Sequence, residues 1–357
     1  MNVAAVDLFC GVGGLTAGLS KSGIRVCGGI DIDEACQWPY ENNNPGAKFI
    51  KKSVVDIHAH DLVAMFPANC VRVLAGCAPC QPFSTYSLGK ASEDDRWSML
   101  GEFARLISEL RPEIVTMENV PRLRHHPVFD AFCKTLTAEG YHFDSTVVSC
   151  AQYGIPQTRK RLVLMASRLG QIKVRDRDPQ KDRRRTVQDV IGTMKKLTAG
   201  DVSPEDALHQ TSRLSSMNLK RIKASHPGGS WRDWDDDIVA DCHRTETGES
   251  FPSVYGRMEW NKPAPTITTQ FYGFGNGRFG HPEQNRALSL REGAILQTFP
   301  KRYKFVPPGG EVHFKVIGRM IGNAVPPRLG KVIGESIMAH VEQYRDALER
   351  PLPDSRS

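Results

Sequence analysis

The chain has 357 residues, 40% of them hydrophobic, and a net charge of +7 from 47 basic and 40 acidic side chains. A chain of this length can bury a full core and is long enough for two domains. Its longest apolar runs, such as residues 3–9 and 162–166, are far shorter than the roughly 20 residues that span a bilayer. We therefore expect no membrane-spanning segment.

The N-terminal residues and the cysteines indicate the cellular compartment that we expect for the protein. The first residues, MNVAAVD, have no basic stretch and lead directly into an apolar run, so we expect no secretory signal and a cytoplasmic location. Nine cysteines at irregular spacings do not resemble a disulfide framework, and we interpret them as reduced. The mild positive charge is compatible with a nucleic-acid partner but does not require one.

Short apolar runs alternate with helical patterns through the first third of the chain. The runs lie at residues 3–9, 25–32, 71–75 and 113–117. This alternation predicts a parallel sheet covered by helices on both faces. Leu100, Phe103, Ala104, Ile107 and Leu110 follow the spacing of an amphipathic helix packed on that sheet.

The composition of the sequence changes after a last apolar run at 161–166. Residues 173–185 are crowded with basic side chains, and much of the chain up to residue 281 is polar or rich in glycine and proline. Patterns typical of regular secondary structure return near 288–299 and 321–327. The sequence therefore predicts a second, less regular domain between two parts of an ordered one.

A glycine-rich turn joins the first predicted strand to the first predicted helix. The sequence there is DLFCGVGG, with glycines at Gly11, Gly13 and Gly14. Such a turn lets the backbone approach a ligand at a helix N-terminus, although glycines also simply mark turns. Asp31 ends the next strand, where an acidic side chain commonly holds ribose hydroxyls, and Asp56 follows another short run. The G-x-G-G spacing fits a dinucleotide poorly, and Phe9 is placed to lie against a cofactor.

The segment GCAPCQPFS follows the predicted strand at 71–75. Cys80 lies there between Pro79 and Pro82, which make the loop rigid, and it is our candidate nucleophile. With Cys77 it forms a C-x-x-C pair, a spacing that is also typical of redox and zinc sites. Zinc requires two further ligands, and the chain has no second C-x-x-C or H-x-x-x-H. We therefore expect no metal.

Glu118 ends the predicted strand at 113–117, so its carboxyl group should lie at the same sheet edge as Cys80. A carboxyl group beside a nucleophile suits the activation of a heteroaromatic ring. Arg159 and Arg161 begin another strand and, being two residues apart, should point to one face. Guanidinium groups suit carboxylate or carbonyl partners, although each of these residues could instead lie on a solvated surface.

The order of these motifs resembles that of the DNA cytosine-5 methyltransferases. The resemblance extends over about residues 3–345 and fails only in the variable middle region. It implies an α/β fold with a Rossmann-like, S-adenosyl-methionine-dependent catalytic domain and a smaller, irregular target-recognition domain. The expected parts are catalytic residues 1–185, a target-recognition domain with the motif hinge at 186–315, and a segment 316–357 that returns to the catalytic domain. The motifs that carry the resemblance are 7–14, Pro79-Cys80-Gln81, Glu118-Asn119-Val120, Gln157-x-Arg159-x-Arg161, 286–299 and Gly322-Asn-Ala-Val-Pro-Pro327.

The resemblance also implies a mechanism. Cys80 would attack carbon 6 of a cytosine that has been rotated out of the duplex, Glu118 would hydrogen-bond N3 and the amino group, and carbon 5 would take the methyl group. Arg159 and Arg161 would hold Glu118 and the base oxygen. The implied pocket for S-adenosyl-L-methionine is Phe9, Gly11, Gly13, Gly14, Asp31, Ile32, Asp56, Ile57, Pro79 and Asn323. Cys77 and Ala78 stand where many members have a phenylalanine or a second proline before Pro79.

Double-stranded DNA is the implied partner. Basic residues of the middle region would bind phosphates, and its loops would enter the major groove. We interpret the acidic run at 233–237 as a solvated face. We expect a monomer that works in a functional pair with a restriction endonuclease. The predicted DNA-contacting residues are Gln81, Ser84, Arg257 and Arg278, with Arg213, Lys220, Arg221 and Lys223 as further candidates.

Three alternatives remain. An RNA cytosine-5 methyltransferase would share every catalytic motif, although its variable region would be shorter. A DNA-binding relative without activity has no physical need for Cys80, Glu118 and Arg161. A nicotinamide-dependent oxidoreductase is disfavoured by the glycine spacing and gives Cys80 no role.

Overall fold

The computed structural model describes residues 2–79, 98–246 and 248–345. The chain forms two compact units. The first unit comprises residues 1–148, 160–176 and 329–357, and the second comprises 149–159 and 177–328. No helix within the described residues is long and apolar enough to cross a membrane.

The first unit contains a seven-stranded sheet among the described residues. The strands are β1 Asn2–Leu8, β2 Arg25–Asp31, β3 Lys48–Lys51, β4 Cys70–Gly76, β5 Ile114–Asn119, β6 His142–Ser149 and β7 Lys160–Ser167. Their order is β3-β2-β1-β4-β5-β7-β6. The first five strands of this order pair in parallel as predicted, whereas β7 runs antiparallel to β5.

Helices pack on this sheet. They are α1 Gly14–Lys21, α2 Gln37–Asn43, α3 Ala59–Val63, α4 Ser98–Leu110, α5 Pro127–Ala138 and α10 Pro327–Gln343, whose first two residues belong to the second unit. The predicted helix around residues 100–110 is confirmed as α4. Its apolar face places Phe103 and Ile107 in a core with Leu74, Met117 and Leu162 of the strands. Burial of this face, rather than helix propensity, provides most of the stability of α4.

The second unit is built from short elements. They are α6 Val187–Ile191, β8 Val202–Ser203, β9 Asp206–Gln210, α7 Ser216–Ala224, α8 Leu290–Leu296 and α9 Phe314–Asn323, together with several single 3₁₀ turns. A small core of Ile222, Trp231, Trp234, Ile238 and Phe274 holds the middle of this unit together. The predicted aromatic loop at 271–278 is confirmed, apart from one 3₁₀ turn at Phe274–Asn276.

The unit boundaries differ from those we predicted. The second unit begins at residue 177 rather than 186 and also includes the short segment 149–159. The return to the first unit comes at residue 329 rather than 316, so α9 belongs to the second unit. The composition of the sequence did not indicate this boundary, because the apolar face of α9 is equally suitable for packing in either unit.

A buried ion pair anchors α8 in the second unit. Both guanidinium ends of Arg286 donate to the carboxylate of Glu292, each at 2.7 Å, and both side chains are excluded from solvent. Glu292 also accepts from the backbone N–H of Ser289 in a capping box. Burial by itself would raise the pKa of Glu292, but the hydrogen bonds and charge of Arg286 hold it below its ordinary value.

Glu292→Gln should therefore destabilise the protein, because it leaves a buried guanidinium charge without its counter-ion. We expect a loss of about 3–5 kcal/mol in the free energy of unfolding, measured by urea titration. Glu283→Gln is the control, since Glu283 and its partner Lys196 are exposed and should leave the transition almost unchanged. Equal effects of the two substitutions would contradict this role for the pair.

Asp7 is a buried carboxyl group at the end of β1. Its Oδ2 accepts a hydrogen bond from the Thr16 hydroxyl at 2.7 Å, and that hydroxyl lies 3.1 Å from the hydroxyl of Tyr40. Burial raises the pKa of Asp7 to about 7, and the hydrogen bonds from Thr16 only partly offset this rise. Between pH 4 and 7 the folded protein thus keeps a proton that the unfolded chain releases.

The stability contributed at this site should fall as pH rises to about 7 and then level off, because the unfolded state binds fewer protons over that range. Asp7→Asn removes this titration. The difference in Tm between the variant and the wild type should therefore grow in favour of the variant from pH 5 to pH 8, as measured by thermal melts. A difference that is independent of pH would contradict the raised pKa.

Candidate active site

The carboxyl ends of β1, β2, β4 and β5 meet at one edge of the sheet. Leu8 pairs with Gly76, and Gly76 pairs with Met117. The residues that follow these strands are consequently neighbours at that edge. The strand order reverses at β1, and ligands of open α/β sheets bind at such a switch point.

The glycine-rich turn after β1 has an unusual backbone. Phe9, Gly11 and Gly13 all have positive φ, at 57°, 49° and 84°. At Gly13 a Cβ atom would lie 2.5 Å from the Asn44 side chain, so only glycine fits, whereas the space around Gly11 is open. The turn therefore exposes backbone at Gly11 just before α1 begins at Gly14.

Asp31 connects this turn to the end of β2. Its Oδ2 accepts from the N–H of Gly11 at 2.8 Å and its Oδ1 from the N–H of Asp33 at 2.9 Å. Burial raises the pKa of Asp31, and these backbone hydrogen bonds act against the rise. Each carboxylate oxygen can accept a second hydrogen bond, so Asp31 retains capacity for a ligand.

The other predicted cofactor residues differ in exposure. Ile32 is 44% exposed, which is high for a large apolar side chain at the end of a strand. Asp56 is exposed, Pro79 is half-buried, and Ile57 is buried in the core of the first unit. Asn323 is exposed as the last residue of α9, which belongs to the second unit.

Glu118 lies at the end of β5 and is only 3% exposed. Arg161 pairs with it across the antiparallel β5–β7 contact, with Arg161 Nε 2.9 Å from Glu118 Oε1. This ion pair does not have the geometry of a hydrogen bond. Within the described residues, no donor forms a hydrogen bond with Glu118 Oε1. Glu118 Oε1 is thus a buried oxygen that lies beside the positive charge of Arg161 and can still accept a hydrogen bond.

Two side chains at the end of β5 hold the segment that follows β4. The Cys77 thiol donates to Glu118 Oε2 at 2.8 Å. Asn119 donates from its side-chain amide to the carbonyl oxygen of Ala78 at 3.0 Å and is itself buried. Cys77 and Ala78 are thereby fixed at the edge of the sheet.

The two predicted arginines have different partners. Arg161 contacts Glu118, as expected from the resemblance. Arg159 lies before β7 in the second unit and is buried, where its guanidinium donates to the carbonyl oxygens of Ile267 and Gly322. The expectation that both arginines begin the same strand is therefore wrong, because β7 starts at Lys160.

Arg257 is buried in the second unit, which argues against the predicted DNA contact. It is 4% exposed, and its guanidinium donates to the carbonyl oxygens of Ile222, Ser225, His281 and Gln284 and to the side chain of Asn285. Every N–H group of the side chain is used inside the second unit, so none remains for a phosphate. Burial also lowers its pKa.

Other basic candidates fall into two groups. Arg278 is half-buried and donates to the Gly229 carbonyl oxygen. Arg221 is also half-buried, stacks on Trp234 and Tyr255, and donates to the Ile238 carbonyl oxygen. Three candidates are exposed: Arg213, Lys220 and Lys223.

Three predicted residues, Cys80, Gln81 and Ser84, lie outside the described residues. Within residues 2–79, 98–246 and 248–345, no group of three or more side chains could hold a metal ion.

Sequence reasoning missed a buried amide pair. Gln157 Nε2 donates to Gln297 Oε1, and Gln157 Oε1 accepts from the N–H of Ile267. Gln297 in turn donates to the carbonyl oxygens of Ile321 and Ala324 next to α9. Gln297, in the apolar stretch AILQTF, was the available signal, but its sequence separation from Gln157 hides the pairing.

Comparisons with known proteins identify the family of the chain. The family model for C-5 cytosine-specific DNA methylase matches residues 3–339. Type II methylase M.HgiDII of Herpetosiphon aurantiacus is 51% identical over 342 residues, covering 95% of this chain and 96% of the relative. Type II methyltransferase M1.HphI of Haemophilus parahaemolyticus is 28% identical, with coverage of 95% and 87%.

Solved structures show the same fold at low identity. DNMT2 of Spodoptera frugiperda, in a mutant form, has a TM-score of 0.67 at 16% identity and covers 94% of this chain and 100% of its own. A prophage-encoded E. coli chain described as a candidate DNA modification methyltransferase has a TM-score of 0.74 at 20% identity, with coverage of 96% and 100%. With the motifs and the sheet edge, these matches show that the chain belongs to the C-5 cytosine-specific DNA methylase family and is a DNA (cytosine-5-)-methyltransferase.

Proposed function

We propose that this enzyme methylates carbon 5 of a cytosine that is rotated out of duplex DNA, through a covalent adduct with Cys80. The observation that carries the proposal is the buried carboxyl group of Glu118. It pairs with Arg161 and is bound by the segment whose next residues are Pro79 and Cys80. A nucleophile and a hydrogen-bonding carboxyl group at one sheet edge suit the chemistry of a cytosine ring.

Carbon 5 of cytosine is a poor nucleophile until the ring is activated. Attack of the Cys80 thiolate on carbon 6 forms a C–S bond and moves the electron pair of the 5,6 double bond toward carbon 5. Glu118 favours this step in its protonated form, by donating a hydrogen bond to N3 while its other oxygen accepts from the amino group. After methylation, loss of the proton on carbon 5 restores the double bond and expels the thiolate. S-adenosyl-L-methionine supplies the electrophilic methyl group.

The turn after β1 fits an adenosine-type cofactor. Gly11 leaves open space at a half-buried backbone, and Asp31 retains acceptor capacity for hydroxyl groups. The exposed side chain of Ile32 provides an apolar surface for a ring. We propose that Phe9, Gly11, Gly13, Gly14, Asp31, Ile32, Asp56, Ile57 and Pro79 contribute to this pocket, and Asn323 of the second unit stays a prediction.

The names of the relatives support a place in a restriction-modification system. Both named bacterial relatives are Type II enzymes. We propose that this enzyme protects a short sequence from a restriction endonuclease. Monomeric action and a cytoplasmic location remain predictions.

A test of the activity uses purified protein, unmethylated plasmid and S-adenosyl-L-methionine, with modified cytosines mapped by bisulfite sequencing. We expect protection at every copy of one short motif. Cys80→Ala should abolish protection and still bind DNA and cofactor, because only the attacking atom is lost. Wild-type turnover by that variant would disprove the covalent mechanism. Methylation of transfer RNA instead of the plasmid would favour the RNA alternative.

The exposed lysines of α7 are the strongest remaining candidates for phosphate contacts. One side of α7 buries Ile222 in the core of the second unit, whereas Lys220 and Lys223 are exposed one turn apart. If both bind phosphates, each should release about one counter-ion from the DNA.

Replacing Lys220 and Lys223 together by glutamine should weaken DNA binding and lower the slope of log K against log salt by about 2. Fluorescence anisotropy over a range of salt concentrations measures this slope. Lys134→Gln, at an exposed position of α5 in the first unit, is the control and should leave the slope unchanged. An unaltered slope in the double variant would remove α7 from the DNA interface.

A further inference from the structure

We infer that Cys77 is a positioning residue for Glu118, whose thiol holds Oε2 and so fixes the plane in which the carboxyl group meets the target cytosine. The inference rests on the proposed function of Glu118. It starts from the 2.8 Å contact between Cys77 Sγ and Glu118 Oε2. A thiol is a weak donor, and a carboxylate is the acceptor that strengthens such a hydrogen bond most.

The contact follows from the register of the sheet. Gly76 of β4 pairs with Met117 of β5, and the strands are parallel. Cys77 and Glu118 each come one residue later, so their side chains leave the sheet edge side by side. The next residue pair is also connected, since Asn119 donates to the Ala78 carbonyl oxygen. Two successive residues of β5 thus bind two successive residues after β4.

The second contact fixes the plane of the carboxyl group. The last torsion of a glutamate side chain is broad, so one ion pair with Arg161 leaves the carboxyl group free to rotate about its terminal bond. With Arg161 at Oε1 and Cys77 at Oε2, both oxygens are positioned. The thiol positions Oε2 without adding a second positive charge. Such a charge would compete with the base for the carboxyl group. Small errors of position at a reacting group are costly in rate.

The test compares Cys77→Ala and Cys77→Ser in steady-state methylation by the full-length enzyme. Cys77→Ala should lower kcat roughly tenfold, the scale of a lost hydrogen bond to a charged group, and leave KM for DNA and for cofactor within about twofold. Cys77→Ser should recover most of the rate, because its hydroxyl can donate to the same oxygen. Cys70→Ala, at the opposite end of β4, is the control and should behave as wild type.

A second arm tests whether Cys77 acts through Glu118. Glu118→Gln by itself should be slower by a factor on the order of 100. Adding Cys77→Ala to that variant should slow it little further, since the group to be positioned is already altered. Additive losses would overturn the inference, as would equal rates of the alanine and serine variants, which indicate that the side chain only fills space. Full activity of Glu118→Gln would instead overturn the proposed role of Glu118.

Discussion

A carboxyl group removed from water at the end of a central strand requires partners, and Glu118 is such a group. Its burial costs free energy unless charge or hydrogen bonds compensate. Arg161 supplies the charge from the antiparallel strand β7, and Cys77 supplies a donor from the segment after β4. The arrangement joins three strands at one point. The antiparallel direction of β7 is essential, because it brings the beginning of that strand to the edge where β5 ends.

The same edge also carries the glycine-rich turn. β1 lies between β2 and β4, so the turn that follows it is adjacent to Asp31 on one side and to the Cys77 segment on the other. In the proposed mechanism, a methyl donor at the turn and a base beside Glu118 would lie at the same sheet edge, with only β4 between the two strand ends. This placement follows from the position of β1 at the switch point, where helices on opposite faces leave a crevice.

Arginine shows how a residue type can mislead when its surroundings are unknown. Arg161, Arg257 and Arg286 look alike in sequence, as basic residues in polar stretches. The structure gives them three different roles: a partner of Glu118, a donor to five groups within the second unit, and half of a buried ion pair. Sequence reasoning assigned Arg257 to DNA because exposed arginines commonly bind phosphates. Burial decided otherwise, and burial depends on contacts between residues distant in the chain.

Local patterns determined much of this protein before any contact was known. Short apolar runs predicted the strands, a helical spacing of apolar residues predicted α4, the glycines predicted the turn after β1, and the ordered motifs indicated the enzyme family. Each of these signals lies within a short stretch, so sequence alone can express it. The tertiary structure decided the direction of β7, the unit to which α9 belongs, and the contact between Cys77 and Glu118. Those features depend on register and packing between segments tens of residues apart in the chain. Many weak contacts together determine them, so no short stretch of sequence can predict them.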